Sequence, residues 1–195
     1  MGSPLSDVTA LLAALTSELD RRGLRFMLIG GQAILLHGQA RFTADVDVTL
    51  DAGPAALGEL RAACEALRLT PVAPASETLE AFVQRTFVLP AHHTVTGMRV
   101  DFIFSTTTYE AEAVARAQRV SVGGTSVPFA TAEDLVIHKL FASRPRDLED
   151  VEGIVRRKGA TLDWAYLERW AAEFALVPGR EGMPAALARL KALRA

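Results

Sequence analysis

An α/β (α+β) fold, a mixed β-sheet flanked by helices and followed by a C-terminal helical subdomain, is predicted by three observations. Short strand-like runs alternate with helical periodicities up to residue 130, a pattern that packs helices against a sheet. From residue 131 onward the periodicity is helical throughout. Two of the strand-like runs, Asp45-Val46-Asp47-Val48 and Val100-Asp101-Phe102-Ile103, carry aspartates inside apolar sequence. The change of character divides the 195 residues into a core at 1–130 and a helical subdomain at 131–195.

Val8, Leu11, Leu12, Leu15 and Leu19 recur at helical spacing, so residues 6–22 read as a helix with Ser6 as N-cap and Gly23 as its stop. Residues 24–29 read as a short buried strand ended by Gly30-Gly31, and residues 32–37 as a helix stopping at Gly38. A strand at 44–50 follows, and after Gly53-Pro54 a helix runs to about Leu67. Between Pro71 and Pro90 the pattern is mixed, with a strand expected at 82–89. Residues 94–105 read as one longer strand with a bend at Gly97. Residues 109–118 are expected to be helical, and 119–122 with 126–129 to form a hairpin around Gly123-Gly124. Helices are expected at 132–142, 147–158, 163–176 and 183–193.

The bulk composition excludes several classes. Half of the residues are hydrophobic, yet no apolar run approaches the roughly 18 residues of a membrane span. The amino end lacks the basic-then-apolar layout of a secretory signal, so a cytoplasmic location is expected. Cys64 is the only cysteine, which rules out an intrachain disulfide and a cysteine-based zinc cluster, and its place beside Leu60 and Leu67 suggests a buried, inert thiol. The net charge of −2 conceals an asymmetry: residues 1–138 carry −5 and residues 139–195 carry +3. A basic C-terminal part suits a polyanion.

The aspartates suggest the chemistry. In a strand, Asp45 and Asp47 share one face while Val46 and Val48 take the other. Carboxylates withdrawn from water must be paired or bound to metal. Magnesium takes oxygen ligands and is commonly held by one or two carboxylates together with substrate phosphates; manganese is a second candidate. With Asp101 on a neighbouring strand, two ions would stabilise the entering and leaving oxygens of an in-line displacement at phosphorus, or Asp101 would act as base toward an attacking hydroxyl. The diglycine complements this, because a helix starting just after a strand offers backbone N–H groups to phosphate and glycine permits close approach. Arg41 and Thr43 lie on the same alternation as Asp45 and would face phosphate or base.

The order Gly-Gly, then x-x-D-h-D, then h-D-h, where h is an apolar residue, resembles the nucleotidyltransferase superfamily related to DNA polymerase β. More narrowly, G-G-Q-A, R-F-T-A-D-V-D, E-D-L-V-I-H-K-L and R-P-R-D-L-E-D-V resemble the AbiEii/AbiGii-type bacterial nucleotidyltransferases, a group that includes toxins of toxin–antitoxin systems. The resemblance spans residues 24–155. It implies a nucleotidyltransferase fold, magnesium dependence and transfer of a nucleoside monophosphate from an NTP with release of pyrophosphate. It implies that Gly30 and Gly31 contact the triphosphate, that Asp45, Asp47 and Asp101 form the metal-binding catalytic set, and that Lys139 contacts phosphate. Asp147, or else Asp150, falls on the group's late aspartate.

Read without the resemblance, Lys139 is equally a solvated lysine on a helix face, and Asp147 is better explained as the N-cap of the helix that follows it. The four histidines are expected to be structural or at the surface. Trp164, Trp170 and Phe174 are expected to pack the helical subdomain. The acceptor hydroxyl is expected on RNA such as tRNA, on a protein, or on a small molecule as in antibiotic-modifying nucleotidyltransferases, with an antitoxin protein as a further expected partner. The alternative outside catalysis is an NTP-binding regulatory module without turnover.

Overall fold

Alternation along one strand decides which way the sheet faces. In β2 (Asp45–Asp51), Val46, Val48 and Leu50 are completely buried, whereas Asp45 is exposed and Asp47 half-buried. Its neighbour β5 (Arg99–Ser105) repeats the pattern with buried Val100, Phe102 and Phe104. The two strands run parallel with Val46 opposite Val100 and Val48 opposite Phe102. Each fully buried Val or Phe here contributes about 1.5–3 kcal/mol, and a slip of one residue would turn the aspartates into that apolar layer.

The computed structural model describes residues 4–37 and 45–193. These divide into two compact units, one holding the residues up to Gln32 and from Asp45 to Phe129, the other Ala33–His37 and the chain from Ala130 onward. Besides β2 and β5, the first unit contains α1 (Pro4–Arg21), β1 (Phe26–Ile29), the first turn of α2 (Gly30–His37), α3 (Leu57–Ala66) and β3 (Leu69–Pro71). It continues with α4 (Leu79–Thr86), β4 (Val88–His93), α5 (Thr108–Arg116), β6 (Gln118–Val122) and β7 (Thr125–Phe129). The seven strands form one sheet in the order β3-β4-β5-β2-β1-β7-β6. Parallel β2–β5 and β1–β7 pairs among antiparallel ones make it mixed, as expected. Helices α1, α3 and α5 supply Leu15, Leu19, Leu60, Ala63 and Ala113 to the core. Cys64 is buried there, and burial pushes its thiol up to about 12, the inert state its neighbours predicted.

The second unit is helical: α6 (Ala132–Ala142), α7 (Pro145–Lys158), α8 (Trp164–Phe174) and α9 (Met183–Ala192). Thr131 caps α6, its Oγ1 accepting from the Asp134 N–H at 3.1 Å, and Tyr166 donates to the buried Asp134 carboxylate at 2.6 Å. Asp163 caps α8 through the Tyr166 N–H. Trp164 Nε1 donates to Gly159 O at 2.8 Å, and Phe174 packs against Phe141 and Trp170, so these aromatics serve the core as expected. No helix among the described residues is long and apolar enough to cross a membrane.

Several expected elements differ. Residues 82–89 were expected to form a strand, but α4 occupies Leu79–Thr86. Thr78 Oγ1 accepts from the Ala81 N–H at 3.2 Å and starts the helix, and Phe87, at φ +56°, ends it. Of its residues only Val83 is buried, so local capping rather than a broad apolar face selects the helix. The long strand at 94–105 is instead a hairpin return: Gly97, at φ +71°, bonds to His93 O, and the extended run starts at Arg99. The edge strand β3 carried no sequence signal. Helix α1 starts at Pro4, ahead of Ser6, and α2 starts at Gly30, so the diglycine lies inside its first turn. Helix α7 starts at Pro145, a residue suited to a first helical position, so Asp147 is inside the helix and is not its N-cap. Gly38 lies outside the described residues.

Candidate active site

The register of three strands assembles the acidic face. Asp47 pairs with Asp101 across the parallel β2–β5 ladder, and Asp45 pairs with Arg99. Residues directly opposite each other share a face, so all three aspartates lie opposite the Val46–Val48 layer. On the other side of β2, Ile29 pairs with Asp47, which sets the following Gly30 against the same carboxylate. Gly30 has φ +64°, and a Cβ there would fall 1.9 Å from Asp47 Oδ2. Glycine is therefore required twice, by backbone conformation and by contact. A helix starting at this point leaves its first-turn N–H groups without intrahelical acceptors, beside Asp47.

This geometry yields a direct prediction. Gly30→Ala should cost about 1–3 kcal/mol in backbone strain and push the Asp47 carboxylate aside. A displacement of about 1 Å costs roughly a hundredfold in rate where catalysis depends on placement. Thermal unfolding and NTP turnover measured side by side test it, and an unchanged kcat would show that the contact has no catalytic consequence.

Asp101 is tied to a cation. Arg99 grips it with Nε on Oδ1 and Nη2 near Oδ2, both at 2.8 Å. These hydrogen bonds, then the Asp101 charge and those of Asp45 and Asp47, raise the Arg99 pKa despite partial desolvation. Sequence reasoning missed Arg99, although its spacing from Asp101, two residues apart in a strand, places both on one face. Among the described residues no three His, Cys, Asp or Glu side chains converge on one metal-holding point. The donor chemistry nevertheless suits a hard cation: Asp45 and Asp47 offer only oxygens, and the Gly30 cradle leaves the Asp47 carboxylate room that a side chain would fill. Arg41 and Thr43 lie outside the described residues.

The later residues of interest belong to the second unit. Lys139 is buried, not solvated, with Nζ 2.9 Å from Asp147 Oδ1 and 2.7 Å from Asp150 Oδ2. Arg144 Nε donates to Asp147 Oδ2 at 2.6 Å. Burial raises the Asp147 pKa, but hydrogen bonds from Arg144 and Lys139 outweigh it, so the carboxyl is held below its ordinary value. Next to Lys139, burial and then the lysine's charge lower His138 to about 4, which keeps it neutral. His37 is fixed at both nitrogens, by Ala130 O at 2.8 Å and Lys158 Nζ at 3.0 Å, and burial lowers its pKa. His93 Nδ1 bonds Thr96 Oγ1, and His92 is exposed on the sheet.

A mixed sheet with helices along its apolar face and a strand–diglycine–helix turn beside a D-x-D strand is the nucleotidyltransferase fold. Two solved structures share it: the antibiotic-resistance factor ANT(2'')-Ia, at 18% identity over 86% of this chain and 95% of that one with a TM-score of 0.56, and an antigenic nucleotidyltransferase-like protein from Paracoccidioides brasiliensis, at 14% identity over 94% and 93% with a TM-score of 0.57. The chain belongs to the family described as nucleotidyltransferase of unknown function, DUF6036, which matches residues 3–178. It is therefore an NTP-dependent transferase by family, while the AbiEii/AbiGii-type grouping is a finer statement than this match carries. No curated protein matches the chain.

Proposed function

We propose that this protein transfers a nucleoside monophosphate from an NTP to a hydroxyl acceptor in the cytoplasm, with magnesium held by Asp45 and Asp47. The observation that carries the reading is the packing of Gly30 against the Asp47 carboxylate, which puts backbone N–H groups of a kind that suits phosphate beside oxygens of a kind that suits magnesium. When bound, magnesium supplies Lewis-acid stabilisation of charge on the phosphoryl oxygens.

The Gly30–Gly31 turn presents N–H groups to the triphosphate, and the sequence alternation that Arg41 and Thr43 share with Asp45 assigns them contacts to phosphate or base. The acceptor oxygen forms a bond to the α-phosphorus as the α–β bridging bond breaks. Pyrophosphate leaves, and the hydroxyl proton passes to Asp101 once its oxygens are released from Arg99. Lys139 keeps the phosphate contact that the family resemblance implies, and Asp147, matched to the group's late aspartate, would act on the nucleotide through the Lys139 ammonium it holds.

The +3 charge of residues 139–195 supports a polyanionic acceptor such as tRNA, whose affinity rests on backbone charge. An AbiEii/AbiGii-type toxin role, with an antitoxin as partner, accords with that acceptor. Transfer of label from each α-labelled NTP onto total RNA and total protein, with magnesium and then with EDTA, tests the reading. Label in RNA that EDTA abolishes is the expected result. NTP binding without label in either fraction would favour a binding module.

A further inference from the structure

We propose that a cavity of about 410 Å³ beside Asp101 is the acceptor subsite, and that it takes a flat ring carrying an anionic group and a free hydroxyl, as a ribonucleotide does. The inference rests on the nucleotidyltransferase reading and names the acceptor class for the same face. Its position follows from register. β4 pairs antiparallel with β5, with Pro90 opposite Asp101 and His92 opposite Arg99. Leu89 and Ala91, the alternate residues of β4, are completely buried. Pro90 and His92 therefore project on the carboxylate face, and Arg99 is shared between the cavity and Asp101.

The lining defines the occupant. Phe82 of α4 and Pro90 supply ring-sized apolar walls, closed by Val72, Ala73 and Pro74 from the segment after β3. Among the described residues its charged or titratable linings are His92 and Arg99, with no carboxylate. Arg99 uses Nε and Nη2 on Asp101, which leaves the Nη1 donors for an anion. A ring stacks on Phe82 and proline, as bases stack on apolar platforms in single-stranded nucleic-acid sites. A phosphate or carboxylate meets Arg99 and His92. The volume lies within the roughly 300–1,000 Å³ range of small-molecule sites. Among the described residues of this lining a polycation meets the Arg99 guanidinium and no carboxylate, which favours an anionic occupant over an aminoglycoside-like one.

An anion on Nη1 draws the Arg99 guanidinium toward the cavity, and rotation of that one side chain then releases the Asp101 oxygens for the hydroxyl proton.

The test follows backbone amide shifts of the full chain, first saturated with magnesium and a non-hydrolysable ATP analogue. Added 5′-AMP, or the oligonucleotide rA4, is expected to shift the amides of Ala73, Phe82, His92 and Arg99. Phe82→Ala should weaken that binding about tenfold, and Ala73→Trp, which fills the cavity, should abolish it while the ATP-analogue shifts persist. Tighter binding of rA4 than of AMP identifies an RNA end as the source of the nucleotide, and equal affinity identifies the free nucleotide. Absence of shifts at these amides with both probes, persistence of binding in Ala73→Trp, or tighter binding there by tobramycin overturns the proposal. Failure of the ATP analogue to shift Gly31 and Asp47 would instead overturn the nucleotidyltransferase reading itself.

Discussion

Asp47→Ala is expected to lower nucleotidyl transfer by about a thousandfold or more, equivalent to ~4 kcal/mol of transition-state stabilisation. The residue is half-buried, sits in register with Asp101, and has its carboxylate against Gly30. Its loss removes one of the two carboxylates that would hold magnesium, while the Val46–Val48 layer that stabilises the strand is untouched. Far-UV circular dichroism should therefore match the parent chain, and single-turnover transfer of labelled NMP supplies the rate. Asp101→Ala separates two roles in the same assay. A comparable loss supports proton acceptance by Asp101, whereas full activity would reduce it to a partner for Arg99. Retained activity in Asp47→Ala would place the metal elsewhere and end the proposed mechanism.

Lys139→Met carries the largest expected effect on stability. It leaves the Asp147 and Asp150 carboxylates buried without the ammonium that bridges them, and breaking a buried pair in this way costs about 3–5 kcal/mol. For a chain of this length the unfolding midpoint should fall by about 10 °C. The methionine retains the apolar stem, so packing loss is a minor part of the change. Assayed well below that midpoint, a rise in KM for the NTP with unchanged kcat would support the phosphate contact that the family resemblance gives this lysine. An unchanged KM would leave it a structural bridge.

The same cluster fixes the sign of a pH effect. The Asp147 carboxyl is lowered in the folded chain relative to its ordinary 3.8, so the unfolded chain binds the proton more readily. The stability it contributes is fully present above that ordinary value and is lost as pH falls through the lower, folded one. Parent and Lys139→Met chains should therefore keep their full difference above pH 3.8 and converge only as pH falls through that lower, folded value. Chemical denaturation from pH 7 down to about pH 2 checks this, and convergence already above pH 3.8 would contradict it.

Much of the acidic face was legible in the sequence because strand geometry is local. A period of two puts Asp45 and Asp47 together and Val46 and Val48 opposite, whatever the rest of the chain does. The hairpin around Gly123-Gly124 was legible for the same reason: two adjacent glycines at positive φ make a tight return almost independently of context. The helix at Leu79–Thr86 was not, although Leu79, Phe82 and Val83 stand at i, i+3 and i+4, because it is only eight residues long, its Phe82–Thr86 part also suits a strand, and the threonine cap decides the matter. Residues 94–98 illustrate a second limit. Their β-branched composition suits a strand, but Gly97 and the pairing of β4 with β5 turn them into a connection.

Alternation and the diglycine alone determined that this chain would present carboxylates on one sheet face beside a phosphate-friendly turn. Only the tertiary structure decided who their neighbours are. Register across β1, β2 and β5 brought Gly30, Asp47 and Asp101 into line and gave Asp101 to Arg99. Packing of α6 with α7 buried Lys139 between two aspartates, where local sequence allowed a solvated lysine and a capping Asp147. The physical reason is range: side-chain direction follows from the backbone of a few residues, whereas burial and ion pairing depend on segments that meet only when the chain has folded.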